Sequence, residues 1–175
     1  MTQPALAQTE PAFTPAPFPQ IEFGVARPEQ VAGMTGLETL RAVVEGRLPA
    51  PPMAQTMQQW IHHLDHGLAE FRGNPAVAYL NPMGIVHGGW TMALLDSALG
   101  CAVHTVLAPG ETFSSLGTEV KFNRPVTHKT GQVRAVATVL SRGRRTATSE
   151  ARVTDMDGRL LATGTTTCFI ESRGA

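Results

Sequence analysis

The sequence carries only two cysteines, Cys101 and Cys168, no excess of either charge sign, and nothing of export character near its start. Two thiols cannot build the disulfide framework of a small secreted domain and fit a reducing compartment. Fourteen basic residues against 14 acidic ones leave a formal net charge of zero. That balance lacks the basic field on which bulk nucleic-acid or acidic-membrane binding depends. Residues 1–20 hold Glu10 and several prolines but neither a basic n-region nor an apolar h-region, so no signal peptide is read and the cytoplasm is the expected location. The apolar stretch 90–107 is long enough to raise the question of a membrane span. It contains Asp96, Gly100 and His104 and lacks basic flanks, so it reads as a buried helix of a soluble protein.

What is present suits one domain with an appendage: 175 residues, 42% of them hydrophobic, enough to bury a core. Residues 1–28 hold six prolines and few paired apolar residues, and read as a mobile tail. Residues 29–57 read as a helical extension. Thr35 and Glu38 have the spacing of a capping box, Leu37, Leu40, Val43 and Val44 line one face, and Gly46 with the run Leu48-Pro-Ala-Pro-Pro52 ends the helix. The main domain spans 58–172. Two short strands are expected around Gly67, then a loop over 73–87 rich in Gly, Pro and Asn, then a helix from Gly88 or Gly89 to about Leu107. That helix is apolar nearly all round and must be enclosed on most sides. Alternating runs follow at 116–122, 133–140 and 146–154, and Asp157-Gly158 gives a strong hairpin signal joining the last to 159–170. An α+β architecture results, with an antiparallel sheet of five or six strands wrapped around one long helix.

The chemistry concentrates in NPMGIVHGGWTMALLDSALG, residues 81–100. Gly88 and Gly89 at the head of the helix leave backbone N–H groups uncovered, where the first turn offers unsatisfied donors and the positive dipole end. Such a terminus polarises a carbonyl oxygen or holds an oxyanion, although a glycine pair taken alone reads more readily as a tight turn into a helix. Asp96 is a carboxylate in an apolar helix, costly unless it is hydrogen-bonded or at a wet interface. It lies on the order of 12 Å along the axis from Gly88. One helix therefore cannot bring both onto one small group, whereas two antiparallel copies in a symmetric dimer can.

These residues resemble the PaaI-like acyl-CoA thioesterases of the hotdog fold. The likeness rests on Asn81, Gly84, His87-Gly88-Gly89 and, nine residues after the histidine, Asp96. It continues through SSLGTEVKFNRPV, GQVRAVATVLSRGRRTATSEARV and DGRLLATGTTTCFI, and spans roughly 58–170. The resemblance implies hydrolysis of an acyl-CoA thioester, with Asp96 as nucleophile or as general base through a water. The Gly88 N–H would bind the thioester oxygen, Gly89 would line the substrate, Asn81 and His87 would orient the carbonyl or hold the loop, and Ser115 would position the water. Coenzyme A belongs to the substrate, so no separate cofactor and no metal are expected. A homodimer is expected, with two dimers forming a tetramer, and neither nucleic acid nor membrane as partner. A thiol with a reference pKa of about 8.5 leaves without a strong general acid, which suits so small a set of groups.

Coenzyme A phosphates need local positive charge in a neutral chain. Arg142, Arg144 and Arg145 crowd one turn and Arg124 follows another strand, and arginine forks suit phosphate oxygens. A solvated turn is the plainer reading of the same residues. His62, His63, Asp65 and His66 lack an evident further ligand, and Cys101 beside His104 reads as helix packing rather than a nucleophilic pair. Trp60, Trp90 and Met92 read as core before acyl pocket. Two rival functions remain. A hotdog hydratase or dehydratase needs Asp and His closer than the eight residues separating Asp96 from His104. A non-catalytic acyl-CoA-binding module would bind without releasing thiol.

Overall fold

A computed structural model of the chain describes residues 10–172. The helix that the apolar run demanded, α4 (Gly88–His104), lies across a sheet made by β1 (Gln59–Asp65), β2 (Leu68–Gly73), β3 (Glu111–Phe122), β4 (Val133–Arg142), β5 (Thr146–Thr154) and β6 (Leu160–Ser172). The strand order is β1-β2-β4-β5-β6-β3, antiparallel throughout. This is the α+β hotdog arrangement, with six strands.

Small residues on the concave face let the helix sit close. Ala69, Ala135, Ala137, Ala151 and Ala162 are buried beneath Leu94, Leu95, Ala98, Leu99 and Ala102 of α4. A Cβ added to Gly164 would lie 3.4 Å from Leu99 and 3.5 Å from Leu95, so the sheet leaves no room there. The α4 C-terminus is tied to the first hairpin, because Thr105 Oγ1 accepts the Gly67 N–H at 2.8 Å. The β5–β6 hairpin closes as its sequence predicts. Gly158 has φ +80°, and Asp155 Oδ1 accepts the N–H of Asp157 (3.1 Å) and of Arg159 (2.9 Å).

The extension contributes three short helices, α1 (Pro28–Val31), α2 (Gly36–Val44) and α3 (Pro52–Met57). In α2 the capping box is formed: Thr35 Oγ1 accepts the Glu38 N–H at 3.2 Å and Glu38 Oε2 accepts the Thr35 N–H at 2.7 Å. Gly36 fits where no side chain could, since a Cβ there would fall 1.8 Å from the His104 carbonyl oxygen. Gly46, at φ +72°, follows the C-cap Glu45 and ends α2 as expected, and Pro52 then opens α3 at a position where a missing N–H costs nothing.

Residues 10–23, expected as part of a mobile tail, run along the domain with contacts at both ends and in the middle. Glu10 N–H donates to Gly158 O at 2.8 Å, Ala16 exchanges hydrogen bonds with Gln132 at 2.9 and 2.8 Å, and Phe23 bridges to Ala50. Three phenylalanines explain the ordering. Phe13 lies 4.0 Å under the Arg72 guanidinium, and Phe18 packs edge-on to Trp60 (5.3 Å) and stacks on Phe23 (5.9 Å). Residues 1–9 of the expected tail lie outside the described residues. The alternation at 116–122 does not bury one whole face: a register shift falls between Ser115 and Gly117, and Leu116 is 66% exposed.

The sheet has two edges of different character. Helices α2 and α3 pack on β1, whereas β3, the longest strand but one, has no strand on its outer side among the described residues. No helix of the described residues is long and apolar enough to cross a membrane.

Candidate active site

The start of α4 is held rigidly. Asn81 Oδ1 accepts the N–H of Met83 at 2.9 Å and of Ile85 at 3.3 Å, an Asx-type turn that shapes the approach. The His87 N–H then donates to Tyr79 O at 2.8 Å. His87 is the N-cap, its Nδ1 accepting the Gly89 N–H at 2.9 Å. That bond leaves Nδ1 unprotonated and places the proton of the neutral ring on Nε2. One residue on, Trp90 Nε1 donates to Met57 O at 2.9 Å, its ring stacks on Tyr79, and Gln59 Nε2 donates to Trp90 O at 2.8 Å.

The two glycines consequently differ. The Gly89 amide is spent on the cap, whereas among the described residues the Gly88 N–H meets no acceptor. A Cβ on Gly88 would lie 3.1 Å from Phe122 Cζ, so the last ring of β3 stands directly over the helix start. The free donor, the dipole end and an apolar wall share one spot.

Asp96 lies on the exposed flank of α4, with Met92 one turn before it. Its Oδ1 accepts from Thr118 Oγ1 at 3.3 Å. Thr118 in turn lies 3.0 Å from Thr166 Oγ1, and Thr166 also reaches Gly117 O at 3.0 Å. Thr118 thus holds one carboxylate oxygen of the exposed Asp96, and Thr166 on the adjacent strand contacts Thr118 from behind. Thr118 went unnoticed in the sequence because its neighbour on α4 is set by strand register, not by spacing. A continuous helix from Gly88 to His104 keeps Asp96 and its own Gly88 apart, so a single chain does not bring them together.

Ser115 lies farther up β3, 3.9 Å from Cys168 Sγ, and among the described residues it makes no hydrogen bond to Asp96. The arginines divide between the two ends of that strand. Arg142 is bound bidentately to Glu111 at its start (2.7 and 2.8 Å), which holds the Glu111 carboxyl below its usual range. Arg145 lies 4.8 Å over the Phe169 ring. Arg144 is exposed in the intervening turn. Arg124 is two residues past the far end, donating to Leu160 O at 2.7 Å. The 12 residues of β3 span on the order of 35 Å, so within one chain these arginines do not meet.

The weaker candidates also find places. Burial first, then the Asp96 charge, push the Cys101 thiol up to about 12, far from a nucleophilic thiolate. Burial lowers the pKa of His104, whose ring meets Phe113 at 5.7 Å. Among the described residues no three His, Cys, Asp or Glu side chains gather as metal ligands. Trp60 and Trp90 are core residues, and Met92 is exposed.

A family profile described as Thioesterase superfamily matches residues 83–162. Among solved structures, a phenylacetic acid degradation-related protein from Ralstonia eutropha JMP134 is 32% identical, with TM-score 0.68, over 74% of this chain and 98% of that one. A mutant of the phenylacetic acid degradation protein PaaI from Thermus thermophilus is also 32% identical, with TM-score 0.61, over 67% of this chain and 97% of that one. The PaaI protein of the phenylacetic acid degradation operon of E. coli is 20% identical with TM-score 0.66, covering 77% and 91%, a likeness of fold. No curated protein matches the sequence.

Proposed function

The chain belongs to the thioesterase superfamily as a PaaI-like hotdog thioester hydrolase, and on that premise we propose that it hydrolyses acyl-CoA with Asp96 as general base. The observation that carries the reading is Asp96 itself: a solvent-facing carboxylate on an otherwise apolar helix, gripped at one oxygen by Thr118.

The site is completed by a second copy of the chain. The long edge β3, unpaired on its outer side among the described residues, is a template for its own two-fold equivalent, and Leu116 and Phe122, 66% and 55% exposed, supply apolar surface beside it. Antiparallel apposition reverses the second helix, so that the Gly88 end of one copy travels toward Asp96 of the other. The same reversal carries the Arg142–Arg145 turn of one copy toward Arg124 of the other. Arg144, without an ion pair among the described residues, is the group we assign first to the coenzyme A phosphates. Association of two such dimers would give the tetramer. The free thiols of Cys101 and Cys168 suit a cytoplasmic location.

In this arrangement the thioester oxygen accepts the Gly88 N–H, and the helix end stabilises the charge that develops there. Asp96, with Oδ1 held by Thr118, takes a proton on its other oxygen from a water attacking the carbonyl carbon. Collapse of the tetrahedral intermediate breaks the C–S bond, the carboxyl returns the proton to the departing sulfur, and carboxylic acid and free CoA leave. Asn81 and His87 act on the loop and helix cap, keeping the Gly88 amide aimed outward.

Thiol release from a panel of acyl-CoAs tests the reading. Asp96→Ala is expected to lower kcat by about 10²–10⁴-fold, the range for a general base. Equal rates for wild type and variant would refute the role of Asp96, and tight acyl-CoA binding without thiol release by the wild type would favour a binding module. An acyl-enzyme trapped at Asp96 would replace the water-activation step by direct attack.

A further inference from the structure

An apolar cavity of about 400 Å³ lies between the N-terminal extension and the hotdog domain. The volume falls in the range of sites that enclose small ligands. Its roof is the segment that composition alone marked as tail, with Ile21 and Phe23, together with Val43 of α2 and Ala54 of α3. Its walls are Trp60 and Phe71 of the first hairpin.

The floor is formed by the helix that carries Asp96. Ser97 and Cys101, four residues apart on one face of α4, both line it. Ser97 immediately follows Asp96, and the Cys101 thiol is near enough to Asp96 for the carboxylate charge to raise its pKa. The space therefore runs along α4 beside the residue that follows Asp96, on the side of the helix that faces β1 and β2, whereas Asp96 faces Thr118 of β3. Apart from His62, Ser97 and Cys101, every lining side chain is apolar, so the site offers nothing to a charged or heavily hydroxylated group.

We propose that this cavity takes the acyl chain of the substrate, and that it selects medium-length aliphatic acyl groups over short ones. The proposal rests on the reading of Asp96 as an acyl-CoA hydrolase centre. A methylene fills roughly the share of one water molecule in the liquid, ~30 Å³. The cavity thus accommodates on the order of ten carbon atoms, whereas an acetyl or propionyl group would leave most of it empty. In this arrangement the extension is a specificity element, and α2 and α3 set the length that fits.

The test compares acetyl-, butyryl-, octanoyl-, decanoyl- and phenylacetyl-CoA on the full-length protein and on two cavity-filling variants, Val43→Phe and Ala54→Phe. Wild type should show kcat/KM at least tenfold higher for decanoyl- than for butyryl-CoA. The variants should lose that preference, with butyryl-CoA turnover within twofold of wild type and unchanged thermal midpoints. A length-independent wild-type profile, a preference for phenylacetyl- over decanoyl-CoA, or variants that depress all substrates alike would overturn the assignment. Calorimetric binding of a decanoyl-CoA thioether provides an arm independent of turnover. If no ester is hydrolysed yet the thioether binds tenfold more weakly to the filled variants, the cavity assignment stands and the acyl-CoA hydrolase reading fails. Binding that is equal in all three proteins overturns the cavity assignment itself.

Discussion

Replacing Thr118 by valine removes one hydroxyl and almost no volume, which makes it a sharp probe of how Asp96 is held. The hydroxyl donates to Asp96 Oδ1 at 3.3 Å. Hydrogen bonds to charged groups contribute about 1.5–3 kcal/mol, and a long one at a solvent-facing carboxylate belongs below that range, at about 1 kcal/mol. If the bond biases the carboxylate toward its working orientation by that amount, its loss lowers the competent population about fivefold. The expected result for Thr118→Val is a kcat reduced severalfold with KM unchanged, because Thr118 lies behind Asp96 rather than against substrate. Thr118→Ser keeps the donor and should retain most of the activity. Stability should barely move: Thr166 keeps its bond to Gly117 O, and a change within about 1 kcal/mol shifts the melting midpoint by roughly 2–4 °C in a chain of this size. Thiol-release kinetics at saturating and limiting acyl-CoA, with a thermal melt of each variant, decide the matter. Unchanged kcat in the valine variant, or an equal loss in the serine one, would show that the hydroxyl does not position the base.

Other consequences can be measured directly. Gly36→Ala should destabilise the protein by about 3 kcal/mol, seen as a lower urea midpoint, because its Cβ would enter the space of the His104 carbonyl 1.8 Å away. Glu70→Gln should cost about 3 kcal/mol, since it removes the countercharge that the buried Arg72 guanidinium meets at 2.6 Å. Cys101, with its thiol pushed up to about 12, should resist iodoacetamide in the native protein at pH 8 and react once unfolded in urea. Burial lowers the pKa of His104, so below the unfolded value of about 6.5 the unfolded chain binds a proton that the folded chain refuses. Stability is therefore complete well above that pH and should fall progressively as the pH drops through it toward the lowered folded value. His104→Gln should shrink the slope without abolishing it, because His62, also lowered by burial and by Arg72, contributes with the same sign.

Local and long-range information divide these residues cleanly. The capping box at Thr35 and Glu38, the helix beginning at Gly88 and the Asp157-Gly158 hairpin were legible because each depends on neighbours a few residues away. The wrapped antiparallel sheet follows from the period-two runs once one all-apolar helix has to be enclosed. The contacts of residues 10–23 were not legible because proline content lowers the apparent apolar surface, while Phe13, Phe18 and Phe23 meet partners at Arg72, Trp60 and Ala50 that no short window contains. The site divides in the same way. Gly88 and Asp96 stand out through the helix they occupy, yet Thr118 reaches Asp96 only through the register that pairs it with Thr166 on β6, and Ser115 is turned to Cys168 by the irregularity beside it. That irregularity also fixes the character of the edge. With pairing interrupted between Ser115 and Gly117, β3 cannot bury one regular face inward, and Leu116 is turned outward instead. An exposed leucine on a long open strand, beside a carboxylate whose proposed companion amide lies on the order of 12 Å away on the same helix, has one economical resolution. A second copy would cover the leucine, complete the sheet and supply the amide in a single contact.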